Sequence, residues 1–309
     1  MGFAFGYPMQ TQIPYEGLTK LRVIPCVGLD HTAGRFYFPP FAQNLQTLRK
    51  ENFSDPVYLD FSLNKSEVDF MAINANLLRR PSDRSLFMVA AVGFPLLVLI
   101  GYFRSYYFSA FFDVKPIANA LVHAHGVVMS LWVVYFAAQI ALVRSKNIKL
   151  HMKMGMAGLA LAVLVVVVGL ATAYDAQLVR ASAPPWINPH SFFLYPVSDM
   201  VLFVILFAGA ISYRKRPAEH KSLMLLTAIN FLPAALFRVS PVPDQSTILW
   251  AFGVPNLLAV LCLVWLTVKH RKLNKIFAAG VSLLIVALPL RIVISESEPW
   301  LRFVAWIAP

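Results

Sequence analysis

Residues 123–139 read HAHGVVMSLWVVYFAAQ, an apolar run that carries two histidines, a tryptophan and a glutamine. His125, Trp132 and Gln139 follow one another at seven-residue steps. On a helix that step returns to nearly the same direction, so the three side chains form one stripe roughly 20 Å long. His123 falls on another face. Polar groups in hydrocarbon are costly unless they meet protein or water, so the stripe is expected to face the interior of a helix bundle. Asp199, in FFLYPVSDMVLF, is a second group that hydrocarbon penalises and that needs a partner. Its depth along its own apolar run matches that of His125. An Asp199–His125 pair would fix the imidazole tautomer and make a proton-responsive centre. Tyr195 lies one turn from Asp199, and Asn230 and Asn256 fall near the middle of two further apolar runs. Together these residues predict an interior polar pocket, with Asp175, Tyr174 and Arg238 near its mouth. The competing reading is that His125 and Gln139 only hydrogen-bond between helices and fix their packing.

A second set lies at the other level of the chain. His151, in NIKLHMKMGMAG, and His220, in RPAEHKSLMLL, each begin an apolar run at matched depth beside lysines. Two facing imidazoles are the axial ligands that haem b requires, and Lys153 and Lys221 would meet its propionates. Acidic lipid or quinone head groups are an alternative ligand class. The plainest reading is of interfacial side chains that snorkel and cap helix starts. His190 falls in a loop, and His31 and His270 have no evident partner. Arg291, within the last long apolar run, is expected to snorkel outward or pair with an acid.

The elements that must hold these residues are legible from composition. Of 309 residues 58% are hydrophobic and 14% charged, against about 45–50% and about 25% in soluble domains. Apolar runs near the roughly 20 residues that a bilayer needs fall at 86–107, 117–143, 153–176, 193–213, 222–238, 247–268 and 276–295. The fold predicted is an all-α integral membrane domain over residues 71–309. It has seven transmembrane helices, with helices 2–7 arranged as three hairpins. The fifth run is the shortest and holds Asn230 and Pro233. Alternate loops carry fifteen Lys and Arg on one side and six on the other, so the positive-inside rule makes the amino terminus cytoplasmic. The net charge of +12 is therefore spread over loops for membrane orientation, and nucleic-acid binding is not expected. The lipid bilayer is the expected partner, with room for other membrane proteins or a homo-oligomer. Residues 1–70 contain seven of the fifteen acidic residues and no long apolar run. They are read as a poorly structured extension, or as a segment upstream of a natural start at Met71.

The strings VHAHGVVMSLWVVYFAAQIALVRSKNIKLHMKMGMAGLALAVL and FFLYPVSDMVLFVILFAGAISYRKRPAEHKSLMLL resemble a family of bacterial multi-pass membrane proteins. The residues that carry the resemblance are His125, Trp132, Gln139, Asn147, His151, Gly155, Asp199, Pro217 and His220. It spans roughly residues 85–240, and Met152 and Met154 depart from it, where a basic or polar residue is expected. The resemblance implies a helical bundle in the bacterial inner (plasma) membrane and supplies no reaction. Likeness to membrane b-type cytochromes is more distant, limited to hairpins with terminal histidines. No Walker A loop, G-x-G-x-x-G, H-E-x-x-H or G-x-S-x-G sequence is present, and the seventh run has no lysine for a retinal Schiff base. Cys26 and Cys262 are too isolated to suggest a disulfide framework or a metal site. The leading functional expectation is an interior His/Asp/Asn pocket that binds a cofactor, a lipid-like ligand or a proton, with electron transfer as one use. A non-catalytic membrane subunit or assembly factor is the alternative, and a small-molecule transporter built on helices interrupted at Pro233 and Pro255 is a third.

Overall fold

The computed structural model describes residues 83–309, save 115–116 and 243, together with 28–30 and 35–37. The chain divides into two compact units, Met1–Arg79 and Arg80–Pro309. In the first unit, strands β1 (Gly28–Asp30) and β2 (Arg35–Tyr37) pair antiparallel, with Leu29 opposite Phe36. The remaining expectations for residues 1–70, for Cys26 and His31 and for a start at Met71 lie outside the described residues.

The second unit is helical. Its helices are α1 (Arg84–Tyr102), α2 (Ala120–Arg144), α3 (Ile148–Tyr174), α4 (Pro189–Ser212), α5 (Pro217–Asn230), α6 (Leu232–Leu236), α7 (Ser246–His270), α8 (Lys275–Ser295) and α9 (Glu298–Ile307). Among the described residues seven spans are long and apolar enough to cross a membrane, from Ser85–Tyr107 to Lys275–Ser295. One π-helical turn, Phe103–Tyr107, continues α1, and another, Asp175–Val179, continues α3. Helices α2 and α3, α4 and α5, and α7 and α8 pack as neighbours, the three hairpins expected from the loop lengths.

Local chemistry sets where these helices start. Asn119, Asn147, Asn188 and Asn274 cap α2, α3, α4 and α8, each accepting a backbone N–H of the first turn. A side-chain oxygen there satisfies a donor that has no partner within the helix. Pro189 and Pro217 occupy the first helical position of α4 and α5, where a missing N–H costs nothing. Pro95, Pro196, Pro255 and Pro289 stay inside continuous helices. Pro233 does not: the span Pro217–Val239 breaks at Phe231, between α5 and α6.

Burial is inverted relative to a soluble bundle. Val89, Met156 and Val268 are 68%, 72% and 72% exposed on outward faces, as lipid contact demands and water would oppose. The broken span Pro217–Val239 is 72% buried, against 11% for Ser85–Tyr107. The least apolar span is thus the central one, which lets Asn230 sit inside protein. Aromatic rings from three helices and the α5–α6 break (Trp132, Phe203, Phe252 and Phe231) fill one part of the core, and Leu206, Leu226, Phe277 and Val281 fill another. Helix α9, which the sequence reading did not anticipate, presses Val304 inward and leaves Phe303 and Trp306 exposed. Trp300 Nε1 ties it to the His190 carbonyl at 3.0 Å.

Candidate functional site

Asp199 projects from the middle of α4, one turn beyond Tyr195, into the core of the second unit. Its carboxylate oxygen Oδ1 accepts a hydrogen bond from Arg291 Nη2 of α8 at 2.5 Å, and the two side chains are 14% and 5% exposed. The expected Asp199–His125 pair does not form; the partner is Arg291. The physical reason is charge. A carboxylate shielded from water gains far more from a guanidinium than from a neutral imidazole. Arg291 starts near one end of α8, and its long stem carries the guanidinium inward rather than out. The guanidinium carbon stands 4.5 Å above the centre of the Phe252 ring of α7, which adds a cation–π contact.

The two asparagines join this pair. Asn230, the last residue of α5, donates from Nδ2 to the backbone oxygen of Asp199 at 2.9 Å. Asn256 of α7 donates to the Leu284 carbonyl of α8 at 3.4 Å. Asp199, Asn230, Asn256 and Arg291 line one gap together with Phe252, Pro233 and Pro255. The gap holds about one water molecule. Arg291 Nε is buried there and has no acceptor among the described residues, so the site keeps an unspent donor beside the gap. Tyr195, 3% exposed, packs its ring 5.6 Å from that of Phe252.

The stripe on α2 faces inward, but none of its three residues lines the gap. Trp132 is fully buried, edge-on to Phe203 and Phe207 of α4 at 5.0 and 5.7 Å. Gln139 Nε2 donates to the Tyr135 hydroxyl, which donates in turn to the Met154 carbonyl of α3 at 2.7 Å. His125 Nδ1, Trp132 Nε1 and Gln139 Oε1 are buried atoms without a hydrogen-bond partner. Trp132 and Gln139 therefore serve the α2–α3–α4 packing, and His125 stands apart from the Asp199 gap. The groups placed near a pocket mouth also sort elsewhere. Asp175 pairs with Arg180 at 2.7 Å and accepts from Asn119. Tyr174 bonds the Ile307 carbonyl of α9 at 3.0 Å. Arg238 lies 4.0 Å above the Tyr102 ring.

His151 and His220 do meet, with ring centres 6.4 Å apart and planes at 80°. His220 Nδ1 lies 2.8 Å from the Ala210 carbonyl, and His151 Nδ1 is buried without a partner. The pair offers two axial nitrogens, yet one of the two lysines expected at a haem propionate is engaged elsewhere: Lys221 binds Asp83 and stacks over Phe87. His270, expected to lack a partner, also binds Asp83, Nε2 to Oδ1 at 2.6 Å. Asp83, just before α1, thus clasps α5 and α7 and is 8% exposed. Burial pushes its carboxyl up, but the hydrogen bonds and charges of Lys221 and His270 outweigh that and hold it below its ordinary value.

Comparison with protein-family models, with curated proteins and with solved structures finds no match to this chain.

Proposed function

We propose that this chain is a multi-pass protein of the bacterial plasma membrane, amino terminus cytoplasmic, that couples a proton to a small anion at the Asp199–Arg291 pair. The observation that supports the reading is a shielded pair of opposite charges at the break between α5 and α6, beside a gap lined by two asparagines. Ionisable groups inside membrane spans mark pathways for protons, ions or substrates, and interrupted helices supply hinges and open backbone groups at such sites.

The chemistry follows from which partner is neutralised. A proton from water adds to the Asp199 carboxylate and cancels its charge. Arg291 is then left without a counter-charge, and an uncompensated buried cation costs several kcal/mol. A small anion that replaces the carboxylate at Nη2, and that accepts from the unspent Nε–H, restores the balance. Linkage makes the effect reciprocal: whatever anion Arg291 favours also favours the proton on Asp199. The gap is water-sized, so admission of the anion requires α6 to swing about Phe231.

The test uses the full chain in liposomes with an inward proton gradient and a panel of phosphate, nitrate, lactate and succinate. At least one of them is expected to enter faster than into protein-free vesicles, with a rate that falls when the gradient is collapsed. Asp199→Asn should remove the dependence on the gradient, and Arg291→Gln should remove the uptake. Equal uptake of every anion with and without protein would overturn the proposal and leave the pair as a device that fixes helix packing.

A further inference from the structure

We infer that His151 and His220 form a site for a soft monovalent transition-metal ion of the Cu(I) class, at the end of the bundle that carries the basic loops. Their rings, one on α3 and one on α5, meet edge-on with centres 6.4 Å apart and planes at 80°. An ion held between two imidazole nitrogens at about 2 Å each sets ring centres roughly 6 Å apart. The protonation pattern suits that arrangement. The Ala210 carbonyl can only accept, so His220 Nδ1, 2.8 Å from it, carries the hydrogen. That leaves the Nε2 lone pair of His220 open, the tautomer that a backbone carbonyl selects in metal-bound histidines. On the other ring, His151 Nδ1 is buried and makes no hydrogen bond to the described residues, although the Gln139 carbonyl stands beside the ring. A buried nitrogen in that condition is costly unless something occupies its lone pair.

Which ion fits is decided by charge and by the remaining donors. Among the described residues no group of three or more His, Cys, Asp or Glu is placed to hold a metal. Structural and catalytic zinc sites use three or four such ligands. The surroundings are also basic, with Lys149 and Lys153 on α3 and Arg214, Lys215 and Arg216 ahead of α5. Asp83, a buried acid at this end, is already paired with Lys221 and bonded to His270. An ion of low charge that tolerates two nitrogen ligands is therefore favoured over a divalent one. Two thioethers are within reach by helix spacing: Met154 lies three residues after His151 and Met224, which also packs against the apolar core, four after His220, and both are half-buried. Thioether and imidazole together select Cu(I).

Purified full-length protein in detergent is titrated with Cu(I) under anaerobic conditions against a chromophoric chelator. One ion per chain is expected, with nitrogen and sulfur scatterers in the X-ray absorption spectrum and no comparable retention of Zn(II). His151→Ala and His220→Ala should each weaken binding at least about tenfold, Met154→Leu and Met224→Leu by less, on the scale that ligand-shell changes produce. Cys262→Ser should change nothing. Retention of Cu(I) unaltered by the histidine substitutions would overturn the site, as would failure of the wild type to compete with the chelator. A copper spectrum without imidazole scattering would do the same with no variant needed. So would a Soret band in protein from haem-replete cells that is lost in His220→Ala, which would assign the pair to haem instead.

Discussion

Asp199 and Arg291 are held against each other with little of either side chain exposed, so each neutralises the other's charge. Asp199→Ala leaves the guanidinium uncompensated and is expected to cost about 3–5 kcal/mol, read as a fall in thermal stability in detergent. An Asp199→Leu, Arg291→Met double variant should recover most of that loss, because two apolar side chains of similar size leave no orphan charge. His125→Ala combined with Asp199→Asn should give additive losses, since the two residues do not share a partner. A double variant no more stable than Asp199→Ala would show that the loss is not the cost of an orphan charge. Asp199 itself was legible in the sequence, because an aspartate within an apolar run has few innocent explanations. Its partner was not. Seven-residue spacing tells which face of one helix a side chain occupies and nothing about the helix opposite. Arg291 sits close enough to the end of its span to pass for an outward-reaching arginine, and only the length of its stem decides the matter.

At the scale of elements, small residues decide how closely helices approach, as expected where lipid removes the hydrophobic drive between them. Gly101 at the end of α1 lets Ala235 of α6 come so near that a Cβ there would stand 2.7 Å from the Ala235 Cα and carbonyl oxygen. Those are backbone atoms and have no rotamer to escape into. Gly101→Ala should therefore push α1 off α6 and lower stability by about 1–3 kcal/mol. Gly155→Ala, where nothing lies within 4 Å, should be neutral or stabilising by up to about 1 kcal/mol through helix propensity. Equal melting shifts for the two would refute the close-approach argument. The spans themselves were legible because a run of about 20 apolar residues has one common use. The break at Phe231 was half-legible: Pro233 announces a missing N–H, but whether a helix bends or parts depends on its packing. Helix α9 escaped notice because it is 10 residues long. It is far too short to register as a span, and its apolar residues are spread around one face only.

For the molecule as a whole, the Asp83 clasp is the point at which distant parts of the second unit depend on one another. Three positions, before α1, at the start of α5 and at the end of α7, converge on one carboxylate. Nothing in the sequence distinguished Asp83 from any polar residue ahead of a membrane helix, because its partners lie 138 and 187 residues further on. Loop closure over such separations costs entropy that local pairs do not face, so the clasp stabilises only while the carboxylate is charged. The sign follows from its position on the pH scale. Asp83 titrates below its ordinary value in the folded chain, and the unfolded chain titrates near pH 4. The contribution is then fully present above about pH 4 and is lost as pH falls through the lower folded value. Asp83→Asn should melt at a lower temperature than the wild type at about pH 5, where the carboxylate is charged. Below that the wild type should lose stability faster than the variant, until the two coincide once the carboxyl is protonated in both states. A gap between the melting temperatures that stays the same down to the most acid pH the detergent tolerates would show that the carboxylate charge is not what joins the three helices.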